Sequence, residues 1–195
     1  MEMPLDLSDD QLFLEGAELD AVLSDLDEDG WNTSGNLTRS TWTRVWFQHC
    51  RLREDILEIA LGSGDDDISL QAQQIRTKLE RLNNSFPDFM RVPPEVVLNG
   101  NDATLGMFAS GRTENAKDRI NAIFTLIIHA GIMHTEFLLQ RALINRKRTD
   151  TKELIPISRR MLGLVLLAQS KRDFLRDFQG DLVYLVSLLS SSIAC

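Results

Sequence analysis

ENAKDRINAIFTLIIHAGIMHTEFLLQRALINR, residues 114–146, decides the fold class. Ile120, Ile123, Phe124, Ile127, Ile128, Gly131, Ile132, Thr135, Leu138, Leu139 and Ala142 recur at steps of three and four, the repeat of one broad helix face. The Arg146-Lys147-Arg148 run that follows suits the negative end of that helix. Outward from this stretch the same spacing dominates, and strand-like alternation is nearly absent. Toward the C-terminus, helices are expected at about 154–170 and 173–191. The first carries an apolar run at 161–168 that reads as buried on most sides. The second carries Phe174, Phe178, Leu182, Leu185 and Leu189 on one stripe.

Toward the N-terminus, Pro87, Pro93 and Pro94 with Gly100, Gly106 and Gly111 make 83–111 an irregular stretch with one short helix near 104–109. Helices are expected at about 67–82, behind the acidic run Asp65-Asp66-Asp67, and at about 38–61, stopped by Gly62-Ser63-Gly64. A first helix at about 8–26 takes Ser8 or Asp9 as its cap and places Leu12, Leu19, Leu23 and Leu26 along one side. The expectation is an all-α chain, an irregular multi-helix array of six to seven helices in a single domain spanning 1–195. Its parts are an acidic helix and turn at 1–35, a helical pair at 36–82, the Pro/Gly stretch at 83–111 and three long core helices at 112–195.

Charge is distributed unevenly. The 195 residues carry a net charge of −8, yet residues 1–30 hold eleven acids and no Lys or Arg. The rest of the chain, with 18 acids against 21 bases, is slightly basic. Neither part has the clustered basic face that phosphate-backbone binding requires, so direct nucleic-acid contact is not expected. Two cysteines, Cys50 and Cys195, are too few for a metal cluster or a disulfide framework. No secretory signal opens the chain, and no uninterrupted apolar run reaches the ~20 residues of a membrane span. A soluble intracellular protein, not secreted and not in a membrane, is the expectation.

Asp25, Asp27 and Asp29 with Gly30 fall at positions 1, 3, 5 and 6 of a calcium loop, between two expected helices. Position 12, where a bidentate glutamate closes the shell, is Asn36, so 25–36 reads as a solvated acidic turn, with weak calcium binding the lesser reading. His129 and His134, five residues apart, are rotated by ~140° on a helix and do not share a metal. One is expected in the core and the other in solvent. His49 and Cys50 diverge by about 100°, and no nucleophile or phosphate-loop motif occurs, so no enzyme and no cofactor are expected. Leu5, Leu7, Leu12, Phe13 and Leu14 interleave with Asp6, Asp9, Asp10 and Glu15, as in acidic activation segments. Their helical spacing favours instead a helix docked on the chain's own core.

The block from Ile128 to Ile144, with its H-T-E-F-L-L-Q-R run, resembles a segment of the fungal-specific transcription factor middle homology region. The K-R-D-F-L-R-D-F-Q-G-D-L-V-Y-L-V run from Lys171, the R-E-D-I-L-E-I-A-L-G string ending at Gly62, and the Pro4–Asp9 and Asp29–Thr33 blocks resemble its other parts, in order. The resemblance implies an all-helical regulatory domain acting through protein contacts in the nucleus, sometimes with a small-molecule ligand. In that family a zinc binuclear cluster reads DNA, and its six cysteines are missing from this chain. It also implies truncation at the C-terminus, leaving the Phe174–Leu189 stripe open to self-association or to a full-length zinc cluster factor. A free-standing helical scaffold is the alternative.

Overall fold

The computed structural model describes residues 3–62, 67–99, 112–147, 151–173 and 175. Among them the chain is all-α, with six helices: α1 Gly16–Ser24, α2 Arg39–Leu61, α3 Ile68–Ser85, α4 Pro94–Asn99, α5 Arg112–Lys147 and α6 Leu154–Ser170. The last expected helix, with Phe174, Phe178, Leu182, Leu185 and Leu189, lies outside the described residues, as does the short helix at 104–109. The chain divides into two compact units, Met1–Trp46 with Pro87–Ile128, and Phe47–Phe86 with His129–Cys195. The divisions fall within α2 and α5.

Local chemistry explains the boundaries. Thr38 and Thr41 cap α2 reciprocally: the Thr41 N–H donates to Thr38 Oγ1 at 3.1 Å, and the Thr38 N–H to Thr41 Oγ1 at 3.0 Å. The Asp67 carboxylate accepts from the Leu70 N–H at 3.2 Å and opens α3. That helix runs three residues beyond expectation, to Ser85. Helix α4 occupies part of the stretch expected to be irregular. Pro94 is its first residue, where a proline gives up no hydrogen bond and its fixed φ suits the helix.

The first helix differs more. Instead of one run over 8–26, a single 3-10 turn, Gln11–Phe13, is separated from α1 by extended backbone at Leu14 and Glu15, and α1 opens on Gly16 at φ +58°. Helix α1 buries none of its residues. Its inward side is only half-buried, at Leu19 and Val22, and Leu23 is exposed.

Unit two has a contiguous apolar cluster. Ile56 and Ile59 of α2, Ile68, Ala72 and Ile75 of α3, and Leu139 and Ala142 of α5 are buried together. Helix α6 buries Ile157, Met161, Leu164 and Ala168, one stripe at steps of four, three and four. Leu162 and Leu166 are 51% and 60% exposed, so the 161–168 run is one-sided rather than enclosed. Enclosure belongs to α5. Leu126, Ala130, Met133 and Phe137, all off the expected stripe, are buried like Ile123, Ile128 and Leu139 on it, whereas Ile120 is exposed. Residues 119–146 are long and apolar enough, by length and composition, to cross a membrane, with a mean hydropathy of 1.6 over an 18-residue window. In the fold, 67% of that window is buried within the protein.

Candidate functional site

In unit one the acidic turn is built around two buried charges, Asp6 and Arg44. Leu26 and Asn32 form a single antiparallel bridge, and the Asp27 N–H donates to the Trp31 carbonyl at 2.9 Å. Asp27 Oδ1 accepts from the N–H groups of Asp29 at 3.0 Å and Trp31 at 2.8 Å, an Asx turn. Gly30 takes φ +78° at the tip, where a Cβ would stand 2.9 Å from Leu5 Cδ2 and 3.1 Å from Arg44 Nη1.

Into this turn reaches Arg44 from the first turns of α2. It donates to the Gly30 carbonyl and, at 2.7 Å, to the Asp29 carbonyl, while its guanidinium lies 4.0 Å from the Trp31 ring centroid. Burial pulls Arg44 below its ordinary value, opposed by the nearby charges of Asp6, Asp27 and Asp29. Asp6 accepts from Thr41 Oγ1 at 2.6 Å, Thr38 Oγ1 at 3.1 Å, the Asn32 N–H at 3.3 Å and the Asn32 side-chain amide. Its own N–H donates to the Gly30 carbonyl at 3.0 Å.

The calcium-loop residues Asp25, Asp27 and Asp29 are exposed at this turn. The carbonyls of Asp29, Gly30 and Trp31 already accept from Arg44 or Asp27. Where a calcium loop would aim oxygens at an ion, this one aims two carbonyls at an arginine. Among the described residues no group of three or more His, Cys, Asp or Glu could hold a metal ion.

Unit two holds a second polar cluster. His49 of α2 is buried, its Nδ1 sharing a hydrogen bond of 3.2 Å with Thr135 Oγ1 of α5. Arg53, one turn on, donates to Thr135 Oγ1 at 3.1 Å and to the Gly131 carbonyl at 3.2 Å. His49 Nε2 and His134 Nδ1 have no hydrogen-bond partner. Burial first, and the Arg53 charge second, push both histidines down to about 4, so both rings are neutral at pH 7. His129 and His134 are both half-buried, not one inside and one out, and the enclosed histidine is His49. The Cys50 thiol is half-buried and free. The Thr135 hydroxyl also donates to the Gly131 carbonyl at 3.0 Å.

The third feature is apolar and open. Leu12 and Phe13, in the 3-10 turn between Asp9-Asp10 and Glu15, are 58% and 86% exposed. In unit two a shallow groove along α6 is lined by Thr151, Leu154, Ile155, Ser158, Arg159 and Leu162. Sequence reasoning placed Leu12 in an interior. It missed both Asp6 and Arg44, for which the T-x-x-T cap of α2 was the available signal.

Comparison with family models, with curated proteins and with solved structures finds no match to this chain.

Proposed function

We propose that this chain is a non-catalytic helical regulatory domain that influences transcription through protein contacts, without a DNA-binding module of its own. The observation that carries the reading is the Leu12–Phe13 turn, two large apolar side chains held out to solvent in a segment of eleven acids and no bases. An acidic stretch that presents apolar anchors to solvent has the composition of a partner-binding segment. The transcriptional part of the reading comes from the ordered blocks that resemble the fungal regulatory region. In this reading the chain works in the nucleus, carries no resident cofactor and leaves DNA contact to a zinc cluster protein.

The test is a reporter assay with the full chain fused to an unrelated DNA-binding domain. The expected result is a change in reporter output that Phe13→Ser with Leu12→Ser removes at equal protein level. A wild-type fusion that is folded, nuclear and silent sinks the reading and leaves a helical scaffold.

A further inference from the structure

The exposed turn and the exposed groove have complementary chemistry. Leu12 and Phe13 project from a turn flanked by Asp9, Asp10 and Glu15. The lining of the α6 groove includes the apolar Leu154, Ile155 and Leu162 together with Arg159. In sequence, residues 141–172 hold nine Lys or Arg against two acids, a net +7 opposed to the −11 of residues 1–30. Opposite charges on two segments of one chain favour pairing between copies and disfavour pairing of like with like.

Resting on the reading of Leu12–Phe13 as a contact surface, we propose that its partner is a second copy of this chain. The turn of one copy seats in the α6 groove of the next, with Asp9, Asp10 and Glu15 facing Arg159. Two anchor side chains bury far less than the ~800 Å² per partner of a stable interface, so the association is weak and concentration-dependent. It is also heterologous: each copy offers one turn and one groove, so contacts propagate rather than stop at two unless a ring closes.

Sedimentation velocity on the full chain tests this. At low salt the weight-average sedimentation coefficient rises with concentration up to about 100 µM, and added salt reverses the rise as the charges are screened. Phe13→Ser removes the knob and Leu162→Glu removes the groove. Both positions are exposed, and each variant is checked for wild-type helix content by circular dichroism. Each alone associates roughly tenfold more weakly. Mixed, the two variants form a pair that stops at two copies, because one still has the groove and the other still has the knob. Arg159→Glu, a charge change in the groove lining, weakens association likewise and is restored against Asp10→Lys.

A wild-type chain with one sedimentation coefficient across this range overturns the proposal, as does a mixture that fails to pair. The functional reading fails separately. If Leu162→Glu keeps full reporter output while Phe13→Ser loses it, and the wild type stays monomeric, the turn binds a different protein and only the self-pairing is wrong.

Discussion

The Arg44 guanidinium stacks over the Trp31 ring at 4.0 Å while hydrogen-bonding the carbonyls of Asp29 and Gly30. Trp31 is buried beneath it. The cation thus closes the acidic turn from above and ties it to α2. Arg44→Met keeps an apolar stem but leaves two carbonyls without their donor and the buried Asp6 without its opposing charge. We expect a loss of about 3 kcal/mol in urea unfolding, with a red-shifted Trp31 emission. Arg44→Lys recovers only part, because an ammonium lacks the planar fork that spans two carbonyls and stacks on indole.

Calcium should leave this turn unchanged. Trp31 emission is expected to stay constant up to about 5 mM calcium, beyond the range of weak extracellular sites. A saturable change would mean that the carbonyls of Asp29 and Gly30 can exchange Arg44 for an ion.

Two glycines at positive φ separate backbone strain from steric conflict. Gly35, at φ +73°, has nothing within 4 Å of an added Cβ, so Gly35→Ala costs about 1 kcal/mol of backbone strain alone. Gly30→Ala adds a close approach to Leu5 and Arg44, and should cost about 2 kcal/mol or more. Equal losses in chemical denaturation would show that the Leu5 and Arg44 side chains give way freely.

Acid should weaken the fold through His49 and His134. Both are held near 4 in the folded chain against 6.5 ordinarily, so between those values the unfolded chain binds more protons. The contribution of these two rings is therefore flat above about pH 6.5, falls as pH drops toward 4, and levels below. Buried His49 accounts for up to about 3 kcal/mol of the fall, and half-buried His134 for less. His49→Gln should flatten the profile between pH 7 and 5 while lowering stability at pH 7. A profile with unchanged slope would remove His49 as its source.

Core truncations should follow the observed burial rather than the sequence stripe. Leu126→Ala, at a wholly enclosed position, is expected to cost about 3 kcal/mol or more, and Leu166→Ala on α6 under about 0.5 kcal/mol. Thermal melts of the two variants decide between the patterns.

The helices were legible where periodicity and end signals agreed. Asp67 and Gly62 bound α3 and α2, and the steps of three and four carried α5 and α6. What the spacing did not reveal was how many sides each helix covers. A stripe of apolar residues looks the same whether its neighbours are charged or merely apolar, so α6 read as enclosed and α5 as one-faced, the reverse of what the structure holds. The acidic segment misread for a related reason. Leu12, Leu19, Leu23 and Leu26 have helical spacing, but extended backbone at Leu14 and Glu15 breaks the register between the first and the rest. Asp6 was invisible because its donors sit 26, 32 and 35 residues away. No local pattern records a partner at that range.

That range has a consequence for local opening. The Asp6 carboxylate has its full set of partners only when the 25–36 turn and the Thr38–Thr41 cap of α2 are both in place. Held through these distant partners, the residues around Asp6 are expected to open locally no later than the turn itself. In native-state hydrogen exchange, the Asp6 amide should reach solvent no more slowly than the Trp31 amide, even though both are hydrogen-bonded in the folded chain.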